Sequence, residues 1–456
     1  MAVQLTKTRS ASARAEVADE LVAEFRRRTP RSAEAFAAAK KVMPGGDTRT
    51  VAFHAPYPLT VERGQGCRFV DVDGNEYVDI LNNYTSLIHG HAYSAITAAV
   101  TEQLPKGTNY ATAVAAQTRL AEILTARVAS VDLVRFTNSG TEATMNAVRA
   151  ARAFTGRDLI VKMEGGYHGT YDDFEVSVHP DLAAAGTDDA PIPTLDTQGV
   201  PQNTLESVFI IPYNDVAGAE RLFAERGDEI AAVIVEPVMG AGGMIPAEQN
   251  FLEVLRALTV KNDALLIFDE VMTFRLEPGA IQEHYRVRPD LTSFAKIIGG
   301  GFPVGAFGGR TEVMEQFDPA RPKPLWQSGT FNGNAITMIA GAVAMEHYPA
   351  AEVARINVLG DRLRDGFDAT LKRAGVTGVA TGYGSFVGVH FTEEAPTNYR
   401  MAVRGDQTLK RLVHLGLLNE GVFCAPRLMF CTSTAMDEGV IDEVIAAFGR
   451  AVDRVA

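Results

Sequence analysis

The chain has 456 residues, more than one simple core accommodates, so two or more packed domains are expected. Hydrophobic residues make up 46% and charged residues 22%, the balance of a globular enzyme, and a net charge of −13 argues against a nucleic-acid binder. Three cysteines (Cys67, Cys424, Cys431) show neither metal-ligand spacing nor a disulfide framework, and no apolar run approaches the roughly 20 residues that span a bilayer.

The first 15 residues are rich in Arg, Ser, Thr and Ala, as transit peptides are. Acidic residues begin at Glu16, however, and Val17, Leu21, Val22 and Phe25 fall at helical spacing. A short disordered tail leading into a helix over 15–28 is the expectation, with the cytoplasm as compartment. A second helix, 32–42, ends at Met43-Pro44-Gly45-Gly46. Residues 68–79 alternate around Asp73-Gly74-Asn75 and predict a hairpin. From 80 to 345, helical patterns alternate with short apolar strands at 159–162, 207–211, 231–236 and 264–268. That alternation predicts an α/β domain, a mostly parallel sheet flanked by helices. Residues 181–202, rich in Pro, Asp and Thr, predict an exposed loop. From 346 the pattern becomes helix, strands, helix, a smaller α+β domain. The expected organisation is a large domain over 80–345 and a small domain over 346–456 that packs with residues 1–79.

Lys296 lies in Ser293-Phe294-Ala295-Lys296-Ile297-Ile298-Gly299-Gly300-Gly301. An ammonium in such apolar surroundings is costly unless it is paired or its pKa falls, and an amine of lowered pKa is a nucleophile toward aldehydes. Upstream, Ala264-Leu265-Leu266-Ile267-Phe268-Asp269-Glu270 reads as a buried strand ending in an acid. An acid at a strand end followed by a lysine in a glycine-rich loop points to pyridoxal phosphate. The lysine would hold the aldehyde as a Schiff base, and Asp269 would keep the pyridine nitrogen protonated. Each residue alone has an ordinary alternative: a snorkelling surface lysine, or a turn-forming aspartate. The apolar run ending in Asp-Glu also resembles an ATPase strand, but no Gly-Lys-Ser or Gly-Lys-Thr loop accompanies it.

A phosphate site is present as well. Residues 133–137 predict a strand, and Asn138-Ser139-Gly140-Thr141-Glu142-Ala143 leads into a helical pattern over 144–154. Such a turn offers backbone N–H groups, hydroxyls and the positive end of a helix dipole, though Asn, Ser and Thr are also ordinary helix caps. Gly165-Gly166-Tyr167-His168-Gly169 follows the next strand, where an aromatic can stack on a flat ring or simply pack in a turn.

Together these motifs resemble the class-III aminotransferases of the type-I pyridoxal-phosphate fold, in order and over nearly the whole chain. The resemblance implies that Ser139, Gly140 and Thr141 bind the cofactor phosphate and that Tyr167 stacks on its ring. It implies that Glu236, in Val235-Glu236-Pro237, lies near the phenolic oxygen, that Asp269 pairs with the ring nitrogen, and that Lys296 carries the cofactor. Ser328-Gly329-Thr330-Phe331-Asn332-Gly333-Asn334 resembles the segment whose threonine, here Thr330, reaches the phosphate of the partner subunit, which implies a homodimer with shared active sites. Within the class, Val42-Met43-Pro44-Gly45-Gly46 and Thr60-Val61-Glu62-Arg63-Gly64-Gln65-Gly66 are similar to two groups, glutamate-1-semialdehyde aminomutases and β-amino-acid (β-phenylalanine-type) aminotransferases. The aminomutases carry a tryptophan near Asn83, where this chain reads Asn82-Asn83-Tyr84-Thr85-Ser86. Arg49 matches a substrate-carboxylate arginine of the second group, and Arg427 stands where the aminomutases have an uncharged residue. A guanidinium grips a carboxylate bidentately, so the two arginines would serve a β-amino acid donor and a keto acid acceptor in turn, beside Tyr84. Each would otherwise be a surface salt-bridge residue. The expected activity is amino transfer without a metal, nucleic acid or membrane partner. The alternatives are an intramolecular aminomutase and a non-catalytic binding protein of the same fold.

Overall fold

The computed structural model describes residues 11–456, so most of the expected N-terminal tail lies outside the described residues. The chain forms two compact units. The larger comprises Ser94–Ala354 with Thr397–Ala402; the smaller comprises the chain up to Tyr93, Arg355–Pro396 and Val403–Ala456. The observed boundaries thus lie at 93/94 and 354/355 rather than 79/80 and 345/346. The return of Thr397–Ala402 to the larger unit was not expected. Its cause is Arg400, a buried residue whose Nε and Nη2 donate to the Glu164 carboxylate at 2.7 and 2.9 Å. Further donation goes to the carbonyls of Ala185 (2.6 Å) and Gly186 (2.9 Å). Removing one partner of so buried a pair would strand the other charge, so these six residues are held where they are.

The larger unit is built on a seven-stranded sheet: β1 (Leu133–Thr137), β2 (Leu159–Met163), β3 (Val208–Ile211), β4 (Ile230–Val235), β5 (Leu265–Asp269), β6 (Leu291–Ala295) and β7 (Gly305–Gly309). The spatial order is β1-β7-β6-β5-β4-β2-β3. β7 pairs antiparallel with both β6 and β1, while the pairs β6–β5, β5–β4, β4–β2 and β2–β3 are parallel. The central strands are apolar at nearly every position because both faces are covered. Helix Gly140–Thr155 presents Ala143, Ala147, Val148 and Ala151 to Ile160, Ile234, Ile267 and Leu291. Alanines at this spacing let the helix approach the sheet closely. Residues 181–202 are mostly exposed, as their composition predicts, with only two isolated bridges, Val176 to Leu195 and Gly186 to Pro191.

In the smaller unit, helix Ala11–Arg28 is followed by Pro30–Ala39, which starts two residues earlier than expected because Pro30 sits in its first turn. The predicted hairpin forms as Arg68–Asp71 with Glu76–Asp79. Val61–Gln65 joins one edge antiparallel, and Val422–Phe423 joins the other edge parallel. Helix Glu438–Val455, capped by the Asp437 side chain on the Val440 N–H, buries Ile441, Val444, Phe448, Val452 and Val455. Among the described residues no helix is long and apolar enough to cross a membrane.

His54 and His414 meet in this core, edge to face at 5.3 Å between ring centroids. Burial lowers their pKa values to about 4 and about 3 from 6.5, and each charge would oppose the other. An unfolded chain takes up protons at these sites from about pH 6.5 downward, whereas the folded one does not, so stability is complete above that pH and is lost as pH falls toward 4 and 3. The loss is on the order of 3 kcal/mol for His54 and 5 kcal/mol for His414 once pH lies below both folded values. Urea midpoints measured between pH 7.5 and 4.5 should fall steeply, and His54→Phe with His414→Leu should flatten that slope. An unchanged slope in the double variant would assign acid sensitivity to other groups.

Candidate active site

Five loops leave the carboxyl ends of β1, β2, β4, β5 and β6, the edge at which open α/β sheets bind ligands. The sheet register brings their first residues level. Phe268 pairs with Val235, so Glu236 and Asp269 emerge side by side. Asp269 pairs with Ser293, three residues before Lys296. Gly305 pairs with both Thr137 and Ala295, so the turn after β1 and the lysine after β6 flank the start of β7. Only glycine fits at 305, since a Cβ there would stand 2.0 Å from the Ser139 carbonyl oxygen.

The Ser139 turn is a helix cap. The Ser139 side chain accepts from the Glu142 N–H at 3.1 Å, and the Glu142 carboxylate returns the favour to the Asn138 N–H at 2.7 Å. This does not spend the site, because the Ser139 O–H remains a donor and the first-turn N–H groups have no intrahelical acceptor. Gly140 lies against the lysine strand, with the Ala295 Cβ 3.4 Å from where its own would be. Thr141 Oγ1 accepts from the Thr170 N–H at 3.3 Å, and Thr144 Oγ1 donates to the His168 carbonyl at 2.6 Å. The two motifs are thereby fastened to each other.

Tyr167 is 42% exposed, unusual for a large aromatic beside groups as buried as His168, Glu236 and Asp269. Its backbone N–H donates to Glu236 Oε1 at 2.7 Å, and the Gly240 N–H donates to Oε2 at 2.7 Å. Burial raises the Glu236 pKa, with those two donors and His168 working against the rise. His168 Nδ1 lies 2.8 Å from Asp269 Oδ2, and since a carboxylate only accepts, the imidazole donates there. Asp269 Oδ1 accepts from the Val271 N–H at 3.0 Å. Lys296 sits at φ 51°, a left-handed conformation costing about 1–3 kcal/mol for a non-glycine residue and typical of functional positions. Next to Asp269, Glu270 is wholly buried and its pKa rises to about 7, although Thr273, Gln282 and the Ile281 N–H all donate to it.

Pyridoxal phosphate fits this set of groups. A helix start with spare donors suits a phosphate, an exposed aromatic face suits a flat ring, a hydrogen-bonded carboxylate suits a ring nitrogen, and an amine suits an aldehyde. Thr330 is exposed on the surface of the larger unit, and its carbonyl accepts from Asn109 Nδ2 at 2.9 Å. Asn332, two residues on, accepts from Asn138 Nδ2 at 2.7 Å, which ties this segment to the Ser139 turn. Trp326 and Phe331 beside it are 82% and 60% exposed.

In the smaller unit Arg49, Tyr84 and Arg427 form a group of their own. Arg49 Nη1 donates to Asn83 Oδ1 at 2.8 Å, and the Arg427 guanidinium lies 5.7 Å from the Tyr84 ring centroid. Lys410 stands near Arg427, nearly buried, and burial together with that charge lowers its pKa to about 8. Sequence reasoning did not single out His168, Glu270, Asn83 or Lys410, which the structure places beside the expected site residues. His168 and Glu270 adjoin the expected residues Tyr167 and Asp269, whereas nothing in the sequence marks Lys410.

Residues 51–451 match the family described as aminotransferase class-III. A glutamate-1-semialdehyde 2,1-aminomutase of Methanothermobacter thermautotrophicus is 42% identical over 88% of this chain and 93% of its own. An omega-transaminase from Sphaerobacter thermophilus superposes with a TM-score of 0.90 at 45% identity, covering 93% of this chain and 97% of its own. A β-phenylalanine aminotransferase from Variovorax paradoxus gives 0.87 at 36% identity, with 96% of each chain covered. A strand-end edge that fits pyridoxal phosphate and a family match over most of the sequence agree, and the chain belongs to the class-III aminotransferases, pyridoxal-phosphate enzymes of the type-I fold.

Proposed function

We propose that this protein is a β-amino-acid aminotransferase that passes the amino group of an aromatic or apolar β-amino acid to a keto acid such as 2-oxoglutarate or pyruvate. The observation carrying this reading is the pair Arg49 and Arg427, both in contact with the Asn83-Tyr84 segment. One arginine would orient the donor carboxylate and the other the acceptor carboxylate. Likeness to a β-phenylalanine aminotransferase supports this choice.

When bound, pyridoxal phosphate supplies an aldehyde that carries the amino group and a ring that draws electrons from the reacting carbon. In this reading Lys296 Nζ would hold the cofactor aldehyde and, once the donor amine has displaced it, would be the free amine that takes the proton from the amino-bearing carbon of the donor. Asp269, oriented by His168, keeps its negative charge beside the ring nitrogen. Ser139, Gly140 and Thr141 would hold the phosphate, Tyr167 would lie against the ring, and Glu236 would stand near its phenolic oxygen. The partner subunit's Thr330 completes the phosphate site in a homodimer, for which the exposed Trp326 and Phe331 provide apolar surface. The keto acid then collects the amino group in a second half-reaction.

The aminomutase reading has its own support, in the 42% identity to a protein bearing that name. One comparison separates the two. Purified enzyme should consume β-phenylalanine when 2-oxoglutarate or pyruvate is present, and should show little isomerisation of glutamate-1-semialdehyde without an acceptor. Rapid formation of 5-aminolevulinate from the semialdehyde, with no reaction of β-amino acids, would reverse the assignment.

A further inference from the structure

Asn82–Thr85 follows a left-handed helical path, with φ of 50°, 49°, 54° and 74° at four successive residues, none of them glycine. Each such residue is strained by its Cβ, asparagine least, so four in a row need support from outside. The support is extensive. Asp79 Oδ1 accepts the Leu81 and Asn82 N–H groups at 3.0 and 2.8 Å, and its Oδ2 lies 2.7 Å from His91 Nε2. Asn82 Nδ2 donates to the Cys431 carbonyl at 2.8 Å, and the Thr85 N–H donates to the Leu81 carbonyl at 2.9 Å. Strain held this firmly collects at sites where side-chain direction matters.

Two side chains of the turn show what that direction achieves. Asn83 Oδ1 accepts from Arg49 Nη1, and the Tyr84 ring faces the Arg427 guanidinium. The Tyr84 hydroxyl donates to the Val51 carbonyl at 2.6 Å, which ties the segment just after Arg49 to the same turn. A neutral amide and an aromatic face orient guanidinium groups without cancelling their charge. Among the described residues Arg49 has no carboxylate within ion-pair distance. The nearby acid, Asp47, spends Oδ1 on the Thr48 and Arg49 N–H groups. Lys410 adds a third positive charge near Arg427, and its Nζ makes no hydrogen bond among the described residues. Among the described residues neither Arg49 nor Lys410 is ion-paired to an acid, and a substrate carboxylate would supply that partner.

We propose that Asn83 and Tyr84, fixed by the left-handed turn, are positioning residues that aim Arg49 and Arg427 at the substrate carboxylate and so set the preference for acids over their uncharged analogues. This rests on the reading of the two arginines as carboxylate-binding residues.

The test is Asn83→Asp, which keeps the shape and the left-handed preference but gives Arg49 a built-in carboxylate. Binding of 3-phenylpropionate and of 3-phenylpropionamide to the holoenzyme is measured by calorimetry, together with KM and kcat for β-phenylalanine. Asn83→Asp should weaken the acid by about tenfold or more and raise KM rather than lower kcat, while the amide ligand binds as before. Asn83→Gly, which keeps the backbone and loses the amide, and Tyr84→Leu should each cost acid affinity by a smaller factor. Circular dichroism and thermal midpoints exclude misfolding. If wild-type enzyme uses the β-amino acid but all three variants bind the acid within twofold of it, the positioning role is overturned and the substrate reading stands. If wild-type enzyme accepts only glutamate-1-semialdehyde and Asn83→Asp raises that KM, the substrate reading fails and the positioning role stands. Loss of affinity for acid and amide alike would make the turn merely structural.

Discussion

Lys296→Ala should lower turnover by several orders of magnitude while leaving appreciable affinity for pyridoxal phosphate. On the proposed reading the substitution removes the amine that would hold the aldehyde and also the group that would move the proton at the reacting carbon, and such losses are not compensated by neighbours. Affinity should survive in part because the helix start at Ser139–Thr141, the Tyr167 loop and Asp269 lie at the ends of other strands and do not depend on the lysine side chain. The backbone should tolerate the change, since alanine at φ 51° keeps the strain that lysine already bears. Two measurements check this. Borohydride treatment of wild-type holoenzyme followed by peptide mapping should put the pyridoxyl mass on the Lys296 peptide, and single-turnover kinetics of the variant should show the chemical step, not binding, as what is lost. A label on Lys162 or Lys410 instead would end the assignment, and so would a variant retaining a tenth of wild-type turnover.

Asp269→Asn should reduce kcat by roughly 10² or more, with a smaller change in KM, because a fixed charge opposite the ring nitrogen acts chiefly in the transition state. The side chain is 4% exposed and already bonded to His168 Nδ1 and the Val271 N–H, so the amide fits sterically. It fits less well electrically. The buried imidazole would face an amide in place of a carboxylate, and its pairing would survive only with the amide oxygen turned toward it. The absorption spectrum of the bound cofactor should shift along with kcat. Near-normal turnover would reduce Asp269 to a strand-end residue of structural value.

Much of this architecture was legible in the sequence. Runs such as 231–236 and 264–268 are apolar at every position, which only a sheet covered on both faces explains, and their acids at the carboxyl end point to a ligand edge. Motif order then ranked Lys296, Asp269 and the Ser139 turn ahead of any other lysine, acid or cap. Pairwise geometry was not legible. That Arg400 would lie against Glu164, and so pull Thr397–Ala402 into the larger unit, depends on two residues 236 positions apart, each unremarkable in its own surroundings. The left-handed turn was hidden for a different reason: asparagine and tyrosine carry no signature of φ > 0 as strong as glycine does, and Asp79, which holds the turn, reads simply as the end of a strand.

The parallel pairing of Val78 with Val422 has a consequence for synthesis on the ribosome. The sheet that begins at Val61 cannot gain its last strand until nearly the whole chain has emerged, a wait on the order of tens of seconds at ordinary elongation rates. Ser94–Ala354 is contiguous and can fold during that interval. The early segment must meanwhile carry an unpaired strand edge and exposed Leu21, Phe25 and Tyr77, the kind of surface that chaperones hold and that aggregates when they do not. Vectorial translation therefore leaves residues 61–79 waiting for a partner made long after them.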